Sequence, residues 1–476
     1  MAERRDSLKT LFLAVPFAIS VRDNLRTDVL TTLKESGHRI VILSPTWQDP
    51  EFREEFSGPN VFIEPLWQLQ PTCRERFFNL VRFLAIAPSS NTQKIKLKKR
   101  SRESAAARLL DLAVRVAESL PLTRRRKMVK WADRLEALLA KRHEYDALFA
   151  RYNPDLVVLT RVFDWSADTV LLKAAHLWKI PTVLCVASWD NLTGKSLIPF
   201  RPGGLIVWNE VSKDEAVSLH GYPPERIFVS GIAHFDLYGN GTQFISRQEF
   251  LEKLGMNPRK KLLTYTTGSR PAIPHENEIV EMLIDLVNEE AFSRPCQLLV
   301  RLHPQAVWED YAHLQNRGNT VFEVPGKARG FRDRDFSHAD LKHLIETMKH
   351  SDVVINATST ITLDAFTCDT PVVLVVFDGP RPREFYSSVR RFAHYDHLRK
   401  VISRGGVRLA GSVPELIAGV NAYLEDPARE REQRLATVRD FCHRLDGQSG
   451  RRIGNRLLDH LNHPPEWHNS ETSSPS

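Results

Sequence analysis

The chain has 476 residues, 66 Lys and Arg against 58 Asp and Glu, a formal net charge of +8, and five cysteines. At ~100 to 200 residues per domain that length allows two or three domains; the longest apolar runs fall short of the ~20 residues a membrane span needs, and five scattered cysteines point to neither a disulfide framework nor a zinc knuckle. The basic excess is local: residues 94–142 hold 16 Lys or Arg against 5 Asp or Glu, which is +11, leaving −3 for the rest, so no specific nucleic-acid partner is called for.

The first apolar run continues into charged sequence without a small-residue cleavage site, so no secretory signal is expected and a reducing cytosol suits the thiols. Residues 9–15 read as a strand, 20–24 as a polar loop carrying Arg22, 25–35 as an amphipathic helix capped by Gly37, and 39–43 as a second strand. No G-x-G-x-x-G turn follows the first strand, so no dinucleotide is indicated there. Residues 94–142 contain two helical patterns separated by Pro121 and flanked by KIKLKKRSR and RRRK. These basic clusters suit attraction to an anionic membrane surface or an anionic acceptor; a solvated face of an inserted helical hairpin is the other reading. From residue 154 strands and helices alternate: 155–159, 167–178, 181–187 running into SWDN, 204–208, 213–220, and 227–230 running into GIAHFD.

The polar stretch 237–260 reads as a linker between a first domain over 1–236 and a second over 261–426. The second opens with the strand 262–265 and the loop TTGSRP, then alternates again through 278–288, 298–301, 320–324 and 339–349. Residues 427–462 read as charged C-terminal helices and 463–476 as a disordered tail. Alternating strands and helices argue parallel sheets covered on both faces, hence an α/β fold of two Rossmann-like domains facing across a cleft.

The unit 351–379 organises the second domain: a buried strand, a hydroxyl-rich loop, a helix opening near Ile361, and another apolar strand. At the carboxyl end of such a strand Thr358, Ser359 and Thr360 can frame an anion with the helix amides; as plain structure, Ser359 or Thr360 is an N-cap and Asp364 favours the helix dipole. A second strand runs directly into Arg301, His303 and Pro304, bringing further polar groups to the same crevice.

RLHP at 301–304 and TSTITLD at 358–364 resemble the R-x-H-P and Ser/Thr loop of the CDP-glycerol glycerophosphotransferases, within the glycosyltransferase B-fold group that also includes sugar-nucleotide 2-epimerases. DGQSGRRI at 446–453 is similar to the end of those transferases, and GIAHFD looks like an epimerase segment. The resemblance implies that Arg301, His303, Ser359, Thr360 and Asp364 hold a donor's diphosphate and ribose. Where the family has W-H-G with histidine as base, this chain has Trp189, Asp190 and Asn191. An aspartate can also deprotonate a hydroxyl, and the departure leaves the transferred group open between a sugar and a polyol phosphate.

The expected function is a transferase that uses a nucleotide-activated donor to build a surface polysaccharide or related glycopolymer. Asp190 would act as base with His303 as its catalytic partner across the cleft. Gly268, Ser269, Arg270, Arg301, His303, Thr358, Ser359, Thr360 and Asp364 would bind the donor, and Arg22, Trp189 and Asn191 a glycan or lipid-linked acceptor. No metal and no cofactor beyond the donor substrate is called for. The expected location is cytoplasmic and peripheral on the inner face of the cell membrane through residues 94–142. The rivals are a UDP-N-acetylglucosamine 2-epimerase-like isomerase and, ranked last, a non-enzymatic polyanion or membrane-surface binding protein.

Overall fold

A computed structural model describes residues 8–139, 141–163, 166–239, 241–331, 334–357 and 359–464. Two all-parallel sheets carry the molecule. The first contains β1 (Thr10–Ala14), β2 (Arg39–Ser44), β3 (Val61–Pro65), β4 (Leu156–Leu159), β5 (Thr182–Cys185), β6 (Gly204–Val207) and β7 (Ile227–Val229), in the order β3-β2-β1-β4-β5-β6-β7. The second contains β8 (Lys261–Thr266), β9 (Cys296–Arg301), β10 (Thr320–Glu323), β11 (Val353–Asn356), β12 (Val372–Val375) and β13 (Val407–Ala410), in the order β10-β9-β8-β11-β12-β13. Central strands of such sheets are covered on both faces, which is why they read as continuous apolar runs. In the first sheet Phe12, Val41 and Val157 turn to one core, while Leu11, Ile40 and Leu156 turn to the other.

Each sheet reverses its winding once, between β1 and β4 and between β8 and β11. Loops at the carboxyl ends of such strand pairs splay apart and leave a crevice. The segment after β1 is not the expected polar loop. It is the helix Ala18–Asn24, because its polar residues find partners inside the molecule: Ser20 Oγ lies 2.9 Å from Thr160 Oγ1, and Asn24 Nδ2 donates to the Ser20 carbonyl at 2.9 Å.

The insertion between β3 and β4 is larger than the charge pattern suggests. It comprises the helices Cys73–Ile86, Asn91–Glu103, Ala105–Glu118 and Leu122–Leu139. The first starts at a capping box, with the Thr72 hydroxyl on the Glu75 amide and the Glu75 carboxylate on the Thr72 amide. A buried ion network fastens the insertion to the sheet domain. Lys173 contacts Glu75 at 2.5 Å and Glu136 at 3.1 Å, while Arg82 contacts Asp133 at 2.6 Å and also pairs with Glu136.

The stretch 237–260 is not bare linker: it includes the helix Arg247–Lys253, whose Phe250 and Leu251 pack with Leu262 and Leu299 of the second sheet. The chain crosses back through residues 443–448 into the helix Ser449–Asn462, which adds Ile453, Leu457 and Leu461 to the core of the first domain. Asp236 receives this return, accepting from the amides of Ser449 (2.9 Å) and Gly450 (2.7 Å). The two crossings touch at Gly239, where an added Cβ would lie 2.6 Å from the Leu445 carbonyl oxygen. The halves also meet through Arg26 and Asp335 (2.6 Å) and through Thr92, whose amide donates to Asp396 at 2.9 Å. The tail expected to be disordered falls, from residue 465 onward, outside the described residues.

Candidate functional site

A cavity of about 440 Å³ opens between the two sheets, at the carboxyl ends of their strands. Both reversal points feed it. From the first domain come Arg22, after β1, and Arg161, after β4; from the second come Thr267 to Ser269, after β8, and Ser359 to Asp364, after β11. Ser188, Trp189 and Asp190 follow β5, His234 follows β7, and Arg301 and His303 stand at the end of β9. The size suits a nucleotide-sized ligand.

His303 is held by the backbone around it. Its amide donates to Thr267 Oγ1 at 2.8 Å, and its Nδ1 accepts from the Gln305 amide at 3.0 Å. The ring proton of the neutral imidazole therefore sits on Nε2. Burial pushes the His303 pKa down to about 4, so at neutral pH the ring is an uncharged hydrogen-bond donor. Arg301 is 4% exposed and bonded to Glu323 at 2.5 Å, which fixes its guanidinium beside the cavity. Burial opposes the Glu323 charge, but His343 and Arg301 hold its pKa below the usual carboxylate value.

In the hydroxyl loop Ser359 Oγ accepts from the Ile361 amide at 3.2 Å, and both Ser359 and Thr360 border the cavity. Thr358 lies outside the described residues. Asp364 is 5% exposed and accepts from the Tyr238 hydroxyl at 2.7 Å. Burial raises its pKa, offset in part by His234, Tyr238 and Arg22.

Three expected binders stand differently. Gly268 does not offer its amide to a ligand: that N–H donates to both carboxyl oxygens of buried Glu276, at 2.9 and 2.8 Å. Arg270 is not among the residues lining the cavity; its side chain is 55% exposed and pairs with Asp310 at 2.9 Å, because the loop turns outward after Ser269. Asn191 is buried and does not line the cavity, since it opens the turn Asn191–Gly194 and its side chain donates back to Asp190 at 3.1 Å. Ser269 does line it.

Arg22, expected on a loop, projects from a helix into the cavity and pairs with Asp23 at 2.6 Å. Burial works against its charge, yet Asp23 and then Asp364 raise its pKa. Trp189 is 5% exposed and wedged between His397 (ring centroids 5.1 Å) and Phe441 (5.8 Å). Beside it Asp190 is held at about 2: burial would raise it, but His397, Lys195, Ser188 and Lys96 outweigh that.

Lys96 belongs to the basic stretch, which is therefore not set apart from the strand ends, as its charge alone implies. The helix Asn91–Glu103 packs on the Asn191–Gly194 turn, with Lys96 Nζ 3.2 Å from the Gly194 carbonyl. Nor is RRRK a free cluster. Arg125 is 6% exposed and holds the Ala85 carbonyl at 2.6 Å, and Arg126 bonds the carbonyls of Ser218 and Leu219.

Four functional candidates escaped the sequence reading. Arg161 lies over the Phe17 ring at 4.6 Å and follows β4 directly, so the strand-end rule applied to LVVLTR would have found it. His234 lies in the segment GIAHFD and contacts Asp23 at 2.9 Å; burial opposes the Asp23 charge, but Arg22 and His234 hold its pKa at about 2. His397 arrives from the second domain, against Trp189, with its Nδ1 lacking a hydrogen-bond partner among the described residues. Nothing local in the sequence marks the contact of Asp23 with His234 or that of His397 with Trp189, because those partners are remote in the chain.

S. aureus MnaA bound to UDP is similar over 98% of this chain and 99% of its own, at 12% identity and a TM-score of 0.53. The UDP-GlcNAc 2-epimerase of Methanocaldococcus jannaschii, in complex with UDP-GlcNAc and UDP, covers 94% and 99% at 12% identity and a TM-score of 0.51. CalG4, the calicheamicin glycosyltransferase, covers 96% and 99% at 14% identity and a TM-score of 0.50. These likenesses show the fold, that of the B-type glycosyltransferases. No curated protein matches the chain. A family model described as CDP-Glycerol:Poly(glycerophosphate) glycerophosphotransferase matches residues 203–459. That span is more than half the chain and contains R-x-H-P and the Ser/Thr loop, so the protein belongs to the CDP-glycerol:poly(glycerophosphate) glycerophosphotransferase family.

Proposed function

We propose that the protein is a transferase that binds a nucleotide-activated sugar or polyol phosphate against the second domain and passes it to a hydroxyl of a glycan or lipid-linked acceptor, building a surface polysaccharide or related glycopolymer. The observation that carries this reading is the single cavity fed by both reversal points, with Arg22, Arg161, Arg301 and the His303 imidazole around it. Three cations and a neutral donor suit a diphosphate. UDP or UDP-GlcNAc bound to similarly folded proteins supports a nucleotide-linked donor.

In the reaction the acceptor oxygen bonds to the transferred group as the bond to the nucleoside phosphate breaks. The growing charge on the leaving phosphate is met by His303 Nε2–H, Arg301 and the hydroxyls of Ser359 and Thr360. The acceptor proton needs a base. Asp190 and His397 line the same cavity, so Asp190 works through His397. Burial keeps that imidazole neutral, with its pKa pushed down to about 4 although Asp190 opposes the shift. The ring accepts the proton, and Asp190 stabilises the cation that forms.

For location we propose the anionic inner face of the cell membrane. No helix among the described residues is long and apolar enough to cross a membrane. The insertion instead exposes Phe77, Leu109, Val116, Trp131 and Leu138, each at least 60%, among arginines and lysines. Such a mixture binds lying in the interface.

A binding screen of CDP-, UDP-, GDP- and CMP-linked donors, followed by turnover with and without acceptor, tests the enzyme reading. Release of nucleotide that depends on an acceptor is the expected result. Conversion of UDP-N-acetylglucosamine to its 2-epimer without acceptor would replace transfer by epimerisation. Sedimentation with phosphatidylglycerol vesicles tests the location.

A further inference from the structure

Asp190 and His397 line one cavity from different domains, so neither domain alone sets the geometry between them. The start of the helix Asn91–Glu103, which belongs to the first domain's insertion, touches the chain beside each of them. On the first-domain side Ser90 Oγ donates to the Thr193 carbonyl at 2.5 Å and Lys96 Nζ to the Gly194 carbonyl at 3.2 Å, gripping the turn that follows Asp190. On the second-domain side Asn91 Nδ2 donates to the His394 carbonyl at 2.6 Å. Thr92 and Asp396 bond reciprocally: the Thr92 amide donates to Asp396 Oδ2 at 2.9 Å, and the Asp396 amide donates to Thr92 Oγ1 at 2.9 Å. Asp396 directly precedes His397 in the chain.

The two grips share one helix face, because residues 92 and 96 are four apart. They also converge on the carboxylate. A Cβ added at Gly194 would lie 3.6 Å from Asp190 Oδ2, 3.6 Å from Lys96 Nζ and 3.8 Å from Thr92 Cγ2.

Helix capping alone does not account for the pair. A helix start leaves four amides that water or a local side chain can satisfy, and Ser90 Oγ already accepts from the Gln93 amide at 3.1 Å. Asp396 stands 304 residues from Thr92, and its own amide is returned to the Thr92 hydroxyl, so both bonds exist only while the domains are together. Thr92 is fully buried, which fixes its hydroxyl in place. In a site that moves a proton between groups on two domains, a displacement of ~1 Å costs up to ~10²-fold in rate.

We propose that Thr92 is a positioning residue: through Asp396 it sets where His397 stands relative to Asp190, and so completes the proton route only when the cleft is shut. The inference rests on that route as proposed above.

The test places fluorotryptophan at residue 189, whose ring lies against His397, and reads its fluorine resonance in the full chain. Thr92→Val, which removes the hydroxyl and keeps the shape, should shift the resonance, and Thr92→Ser should restore it. Arg329→Gln, which cuts an ion pair with Glu51 between the domains at the other end of the second sheet, should leave it in place. With the donor selected by the binding screen, kcat of Thr92→Val should fall roughly 10-fold with donor KM unchanged, and Thr92→Ser should recover it. Asp396→Ala cuts the same pair from its more exposed side and should match, which keeps the test open if Thr92→Val does not fold. No shift, an equal shift in Arg329→Gln, no loss of kcat, or kcat and KM changing together as in a closure defect would each overturn the proposal. His397→Gln separates the two ideas: turnover equal to the parent removes the proton route itself, whereas impaired His397→Gln beside unimpaired Thr92→Val removes the positioning role alone.

Discussion

His303 and Asp190 border one cavity from opposite domains, and the proposed function gives them different work. His303→Ala should remove a hydrogen bond to a charged phosphate, worth ~1.5 to 3 kcal/mol, so calorimetry should find donor affinity roughly 10- to 100-fold weaker. Asp190→Asn and His397→Gln should leave donor affinity nearly intact and lower turnover by ~10²-fold or more. Equal loss of donor binding in all three would end the assignment of Asp190 and His397 to the acceptor proton. Glu276 gives a pH signature. Burial raises its pKa to about 7 although the Gly268 amide and Tyr265 hydroxyl oppose the shift. A folded-state pKa above the unfolded value makes the folded state the better proton binder between the two. Stability from this group is therefore complete below about pH 4.5 and lost as pH rises through about 7. Thermal melts of Glu276→Gln, compared with the parent between pH 5 and pH 8, should show a flatter decline; parallel curves would mean that Glu276 is already ionised at low pH.

At the scale of elements, the insertion is fastened by charge as much as by apolar packing. Lys173 is 2% exposed, and removing one member of a buried ion network leaves its partners uncompensated. Lys173→Met should therefore destabilise the protein by ~3 kcal/mol or more, with the loss read first as proteolysis between residues 73 and 142. Strand-by-strand, the sequence was a good guide where burial on both faces imposes an unbroken apolar run, as in β1, β2 and β11. It misled at residues 20–24, where Ser20 and Asn24 look solvent-seeking but bond inside the molecule. It also passed over the helix Asn91–Glu103, whose buried face is only Thr92, Gln93, Ile95 and Leu97 in a run of lysines. The candidate site divides the same way. His303, Ser359 and Asp190 follow strands directly and could be picked out, whereas His397 reaches the cavity only because the second domain leans on Trp189.

For the whole molecule, the cavity walls belong to different domains, so on the proposed reading transfer depends on how those domains move. Closure excludes water, which would otherwise hydrolyse the donor. The contacts Arg26–Asp335 and Thr92–Asp396 tie the walls together in the arrangement seen here. The double crossing at Gly239 and Leu445 determines what motion remains. One connecting strand would act as a swivel, free to twist in any direction; two strands pressed together act as the paired pins of a door, permitting a swing about one axis and resisting rotation about the others. The cavity would then open and shut with its facing side chains still in register. Gly239→Ala would push the pins apart, since its Cβ would meet the Leu445 carbonyl oxygen at 2.6 Å. Turnover and KM should change together in that variant, although residue 239 does not itself line the cavity, as expected of a hinge. A change in neither would mean that the two crossings carry no part of the closing motion.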